Sequence, residues 1–240
     1  MLKRLAEGLE EIRCEVGSAQ LTRFHSYQEE LTHWNHRMNL TAITDPAEVE
    51  TRHFLDSVTP LLVLREQTQP GSALSLIDVG SGAGFPGIPL KLVLPEMRVV
   101  LLEATGKKAE FLRHMVGVLQ LADTEVVQGR AEEVAHDQSF RESFDVAIAR
   151  AVAPLPSLIE ICLPFVRVGG LFVAMKKGDI QAEVQGSRTA LSAVGGGELR
   201  LIEVPLRQLP DSRFLVCVAK ASPSPDRYPR RTGIPFKRPL

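Results

Sequence analysis

Cysteine is scarce: three occur in 240 residues, Cys14, Cys162 and Cys217, far apart and in no CxxC pairing. An odd, scattered set of thiols predicts neither a disulfide framework nor a zinc site, and it fits a reducing compartment. Long apolar runs are missing too, since no stretch approaches the roughly 20 residues that a bilayer crossing needs. The opening MLKRLAEGLEEIRCEV carries acids in every turn where a secretory signal would be apolar. The expectation is a cytoplasmic chain with no membrane partner and no metal. Aromatic residues are only 5% of the total, but 44% hydrophobic content suffices for a packed core and excludes disorder as the main state. No repeat of fixed period is present.

Neither sign of charge dominates: 28 basic residues face 29 acidic ones, a net charge of −1. The balance hides an asymmetry. From Arg200 to Leu240 there are nine basic and three acidic residues, leaving a deficit of seven over the preceding 199. A basic end on an acidic body predicts specific docking on a structured nucleic acid rather than broad electrostatic coating.

The length accommodates one α/β domain with appendages: a helical extension over 1–70, a nucleoside-binding domain over 71–222 and a basic tail over 223–240. In the extension, Ser18 is a candidate cap for a helix with Leu21, Phe24, Tyr27, Leu31 and Trp34 on one face. Asp45-Pro46-Ala47-Glu48 predicts a second helix start. The polar stretch 65–72 reads as a linker. Strands are predicted at 74–79, 98–103, 125–128, 144–149, 170–175, 198–204 and 213–219. Helices fall at 86–94, 106–119, within 154–166 and at 179–193, whereas 221–240 shows no period. Alternation of this kind implies a doubly wound, mostly parallel sheet closed by an antiparallel hairpin.

The strongest chemical signal is Asp78-Val79-Gly80-Ser81-Gly82-Ala83-Gly84-Phe85-Pro86-Gly87, directly after the first strand. Gly80, Gly82 and Gly84 let backbone approach a ligand without Cβ interference. Glu103 ends the second strand 25 residues after Asp78, where an acid accepts hydrogen bonds from ribose hydroxyls. That acid serves NAD and S-adenosylmethionine alike. The loop departs from G-x-G-x-x-G: counted from Gly80 the sixth position is Phe85, and from Gly82 it is Gly87, preceded by Pro86. Asp78 near a pyrophosphate would be unfavourable but suits a sulfonium and an ammonium. S-adenosylmethionine is therefore favoured over NAD. Arg130, Ala131 and Glu132 follow the third strand, where an adenine edge would lie, although Glu132 and Glu133 also suit a solvated helix start. Arg150 closes the fourth strand at the same rim, able to hold a phosphate or orient a base. His53 reads as an ordinary packed or capping residue, and Trp34 as core.

Beyond the loop, the chain carries Trp34-Asn35 with Asn39-Leu40-Thr41, Arg52-His53 with Asp56-Ser57, then DVGSGAGFPGIPLKL, LLEATGKKAEFL, GRAEE, IARAVAPL, MKKG and RRTGIPFKRPL. Over nearly its whole length it resembles the ribosomal RNA small-subunit methyltransferase G family, also called glucose-inhibited division protein B. The resemblance implies a Rossmann-like methyltransferase fold with an N-terminal helical extension. It implies methyl transfer from S-adenosylmethionine to N7 of a guanine in the 530 loop of 16S ribosomal RNA. Carried over, cofactor contacts fall on Gly80, Phe85, Glu103, Ala104, Thr105, Ala131, Glu132 and Arg150, and Lys177 faces RNA, with Lys176 beside it. The Ala-Thr pair after Glu103 departs from the family pattern at a turn expected to bind through its backbone.

Guanine N7 has an in-plane lone pair and no proton to lose, so transfer there needs alignment rather than a general base. No cysteine is placed for covalent catalysis, and no (Asp/Asn)-Pro-Pro-aromatic run follows strand four. Arg150 is the expected catalytic residue, acting by positioning. In the tail, Arg227, Arg230, Arg231, Lys237 and Arg238 interleave with Tyr228 and Phe236, predicting an ordered RNA-contacting segment. The expected RNA-binding set is Arg130, Lys177, Arg230, Arg231 and Lys237. The expected partner is 16S ribosomal RNA or the small subunit, engaged by a monomer. A small-molecule methyltransferase would have no use for the basic tail, and a nucleotide-sensing module would bind without transfer.

Overall fold

Short apolar runs bounded by turns become buried strands when helices cover both of their faces. In the computed structural model, which describes residues 2–67, 73–150 and 153–240, such runs form the centre of one seven-stranded sheet, and its two outermost strands are only partly buried. The strands are β1 (Ser75–Val79), β2 (Arg98–Glu103), β3 (Thr124–Gln128), β4 (Phe144–Arg150), β5 (Val166–Lys177), β6 (Gly196–Glu203) and β7 (Arg213–Lys220). Their order is β3-β2-β1-β4-β5-β7-β6. β1 to β5 pair in parallel, while β7 runs antiparallel to both β5 and β6. Side chains alternate between the faces: Leu76, Leu101, Ile148 and Val173 enter one apolar cluster, and Ile77, Leu102, Ala147 and Phe172 the other.

The connections run from β1 outward through β2 to β3, and from β4 the opposite way to β5. The carboxyl ends of β1 and β4 therefore flank the crevice where open α/β sheets bind ligands. Helices α3 (Gly87–Val93) and α4 (Gly106–Val118) lie on the first face; α5 (Ala131–Val134) and α6 (Leu155–Cys162) follow β3 and β4. β5 begins at Val166, before the expected Gly170, and its register against β4 shifts between Phe144, opposite Val166, and Val146, opposite Leu171. The helix expected over 179–193 divides into Gln181–Gly186 and Arg188–Ala193. Ser187 stands between them with its hydroxyl donating to the Glu183 carbonyl at 2.6 Å.

The extension contributes α1 (Lys3–Glu11) and α2 (Ser18–Met38), and α2 buries Phe24, Tyr27 and Leu31 as its period predicts. Ser18 is not its cap. Gly17, with extended backbone at ψ 167°, takes that position, and its N–H donates to Gln20 Oε1 at 2.8 Å. Asp45 does cap: its Oδ1 accepts the Ala47 and Glu48 N–H groups at 3.0 and 2.9 Å. The chain then winds from Pro46–Glu48 into a π-helical stretch, Val49–Leu55, and back to α over Asp56–Val58. Buried Glu50 accepts the Leu5 N–H at 2.9 Å, satisfying an orphan donor in the first turn of α1. Leu5, Phe24 and Phe54 share one apolar cluster with the sheet. Most of the expected linker (68–72) lies outside the described residues, as do Ala151 and Val152 of the IARAVAPL run.

The tail, expected to be without regular structure, has one helical turn, Ile234–Lys237, behind Gly233 at φ 80°. Arg141 holds its beginning, donating to the carbonyls of Ser224, Pro225 and Tyr228 at 2.8, 3.2 and 3.0 Å.

Candidate active site

At the end of β1 the chain turns through glycines whose amides meet the next strand. The Gly82 N–H donates to Glu103 Oε2 at 2.9 Å and the Thr105 N–H to Oε1 at 2.7 Å. Glu103 thus ties the β1 and β2 turns together, and each carboxylate oxygen retains capacity to accept a ligand hydroxyl. At Gly82 (φ 60°) a Cβ would meet nothing nearer than Gly80 O at 3.9 Å, so the backbone lies open to a ligand. Gly84 (φ 95°) has a different reason: a Cβ there would come within 2.6 Å of Tyr27 Oη and 2.5 Å of Ile88 Cδ1. Tyr27 on α2 donates its hydroxyl to the Ala83 carbonyl, and its ring stacks on Phe85 with centroids 5.3 Å apart. The helical extension therefore fixes the loop. Asp78 lies fully buried beneath it, Oδ2 accepting the Gly87 N–H at 2.9 Å and Oδ1 without a partner among the described residues. Burial pushes its carboxyl up to about 7.

The loop forms one side of a cavity of about 760 Å³. On this side the lining is Gly80 to Ala83, Phe85, Glu103 to Thr105, Lys108 and Arg130. On the other are Leu40, Thr41, Ile43, Arg52, His53 and Asp56 from the extension, with Arg150, Met175 to Lys177, Glu183, Asp211 and Arg213. Lys176 donates to Ala153 O and Glu183 Oε2, both at 2.7 Å, while Lys177 is exposed at the rim.

Arg150 joins the two sides. Its Nη1 donates to Asp56 Oδ2 and to the Arg52 carbonyl, both at 3.2 Å, and its Nη2 lies 3.2 Å from His53 Nδ1. The guanidinium stands 5.0 Å from the Phe85 centroid. Among the described residues three of its five N–H groups are occupied, and the Nε–H and one Nη2–H have no partner there. Asp56 also accepts from Arg213 Nε at 2.9 Å. The His53 ring stacks on Phe85 at 4.4 Å. Burial, followed by the Arg150 charge, lowers its pKa from 6.5 to about 3, so it is neutral.

Of the residues expected at the site, Gly80, Gly82, Phe85, Glu103, Ala104, Thr105, Arg130, Arg150 and Lys177 meet around this cavity. Asp78 and Gly84 support it from below. Ala131 and Glu132 do not line it: Glu132 is buried, its Oε1 accepting the Gly233 N–H at 2.8 Å, and it serves the tail. Arg230 is tied into the fold by an ion pair. Its Nε and Nη2 donate to the two oxygens of fully buried Glu160 at 2.8 and 2.6 Å. Arg231 and Lys237 are exposed. Trp34 packs against Phe111 and His114, as core. Sequence reasoning missed the Thr41–His53–Arg150–Asp56–Arg213 chain; its only signal is the clustering of Asn39-Leu40-Thr41 with Arg52-His53 and Asp56. Among the described residues no three His, Cys, Asp or Glu side chains gather to hold a metal, and no helix is long and apolar enough to cross a membrane.

The fold is similar to an O-methyltransferase from Bacillus cereus in complex with SAH (TM-score 0.58, 20% identity, 92% of this chain and 100% of that one). It is also similar to a SAM-dependent O-methyltransferase from Thermotoga maritima (TM-score 0.52, 13% identity, 81% and 72%). In sequence, the chain is 48% identical over 223 residues to ribosomal RNA small subunit methyltransferase G of Roseiflexus sp. (strain RS-1), covering 92% of each. It is 43% identical over 239 residues to the protein of that name from Dehalococcoides mccartyi (strain CBDB1), covering 100% of each. The model of the family described as rRNA small subunit methyltransferase G matches residues 20–207, and the chain belongs to that family.

Proposed function

We propose that the protein transfers a methyl group from S-adenosylmethionine to N7 of a guanine in the 530 loop of 16S ribosomal RNA. The observation that carries this reading is the two-sided cavity, in which the Glu103-bound glycine loop faces Arg150 across the switch point of the sheet. The residues fit the cofactor: open backbone at Gly82, and a carboxylate at Glu103 that would accept the ribose hydroxyls. When bound, the cofactor supplies an electrophilic methyl group. Ala104 and Thr105 close the nucleoside side, with Arg130 at its edge.

The chain's own work is positioning. Arg150 lines the cavity, held by Asp56 and His53 and backed by Phe85. His53 is no general base, because Arg150 and Thr41 engage both its ring nitrogens. An acceptor such as guanine N7, with no proton to remove, asks for none. The three thiols are buried, and burial raises the pKa of each. Lys177 and Arg130 at the mouth, with Arg231 and Lys237 on the tail, supply cations for phosphates.

Labelled S-adenosylmethionine incubated with the protein and small subunits, free 16S RNA or free nucleosides tests this reading. Label at a guanine N7 of the RNA, and none in nucleosides, is expected. Equal labelling of nucleosides would favour a small-molecule substrate; cofactor binding without transfer would favour a sensing module. A binding preference for NAD would contradict the reading altogether.

A further inference from the structure

The loop after α2 enters the cavity under tight constraint. Asn39, in the left-handed region at φ 51°, ends the helix. Asn35, one turn earlier, holds Thr41 by both backbone groups: Nδ2 donates to Thr41 O and Oδ1 accepts the Thr41 N–H, each at 2.9 Å. The Thr41 hydroxyl oxygen accepts the Ile43 N–H at 3.0 Å and lies 2.8 Å from His53 Nε2. The other ring nitrogen decides the direction of that last bond. The Arg52 carbonyl is within reach of the His53 ring and also accepts from Arg150 Nη1, but a guanidinium has only donors, so we assign the tautomer in which His53 Nδ1, 3.2 Å from Arg150 Nη2, accepts. The proton of the neutral ring is then on Nε2, which donates to Thr41. Both lone pairs of the Thr41 oxygen are thereby occupied, and the side chain has only its O–H to offer to the cavity it lines.

We infer that Thr41 donates this hydrogen bond to O6 of the target guanine and so selects guanine over adenine at the reacting position. The inference rests on the guanine-N7 reading above. Along the purine edge that carries N7, guanine presents the acceptor O6 where adenine presents the N6 amino donor. N7 keeps its lone pair for the methyl group, so O6 is the acceptor left for Thr41. An adenine amino group would meet an oxygen whose lone pairs are filled, leaving donor against donor in a part-buried site. His53 acts here as a positioning residue: by passing the orientation of Arg150 to Thr41, it fixes which way the hydroxyl points.

The test uses the full-length protein and small subunits reconstituted with guanosine or 2-aminopurine riboside at the target; the latter retains N7 and lacks O6. Wild-type protein should lose about 10- to 100-fold in kcat/KM on 2-aminopurine. Thr41→Val should lose a similar factor on guanosine and then treat the two bases alike, with cofactor affinity unchanged. Thr41→Ser should follow wild type. Losses that multiply, with Thr41→Val still discriminating between the bases, would overturn the proposal and reduce Thr41 to shaping its loop. Wild-type indifference to O6 would overturn it whether or not the valine variant folds. Absence of any N7 methylation of guanosine by wild type would instead defeat the broader reading, and this inference with it.

Discussion

Arg150 at the end of β4 and Arg230 in the tail each meet a buried acid, Asp56 in one case and Glu160 in the other. Around Glu160 the arrangement is closed: Arg230 supplies its backbone N–H, Nε and Nη2 to one carboxylate, and Nη2 also reaches the Arg238 carbonyl at 2.8 Å. Around Asp56 it is open: the carboxylate is shared with Arg213, and Arg150 faces the cavity. The same pair of charges anchors a chain segment in one place and presents a recognition group in the other. Among the described residues each guanidinium engages three of its five N–H groups; what separates the two is what the arginine faces.

Removing each arginine should therefore have opposite consequences. Arg230→Ala leaves Glu160 buried without its partner and should cost about 3–5 kcal/mol in denaturant unfolding. Methyl transfer per folded molecule should change little; a loss of under about 1 kcal/mol would show that the tail is not anchored there. Arg150→Ala should lower methylation by about 100-fold. Because Asp56 keeps Arg213, stability should fall by only about 1–2 kcal/mol. Unchanged turnover would remove Arg150 from the mechanism.

Two smaller effects sharpen the contrast. His53 is held near pKa 3 by burial and by Arg150, against 6.5 ordinarily. As pH falls below about 6.5, the unfolded chain takes up a proton that the folded one refuses. Stability should thus decline by about 1 kcal/mol down to about pH 5.5, and His53→Gln should flatten that part of the profile. A wild-type profile as flat as the variant's would mean that His53 titrates normally. Arg231→Ala and Lys237→Ala should each reduce the slope of log affinity for RNA against log salt by about one. Unaltered slopes would take the tail off the RNA surface.

The sequence made much of this legible, for reasons that are local. β1, β2 and β4 announce themselves as apolar runs between turn residues, and Glu103 stands out as an acid at a strand end facing a glycine loop. Asp45 caps the helix that its spacing predicts. Local pattern failed where partners are distant. Glu160 sits in the apolar run IEICLP, 70 residues before Arg230, so nothing near the tail marks Arg230 as paired. Glu132 looked like a cofactor ligand because its partner, the Gly233 amide, lies 101 residues away. Arg150 meets His53 across 97 residues and Asp56 across 94; only the topology joins them. The π-helical winding over Val49–Leu55, which carries Arg52 and His53 to the cavity, has no local signal in its residues.

The central claim is that a guanine of the small-subunit RNA receives the methyl group at N7. Mapping N7-methylguanosine along 16S RNA from cells with and without this gene tests it most directly. One modified guanine in the 530 loop should vanish on deletion, returning with the wild-type gene but not with Arg150→Ala. Identical maps from the two strains would contradict the account.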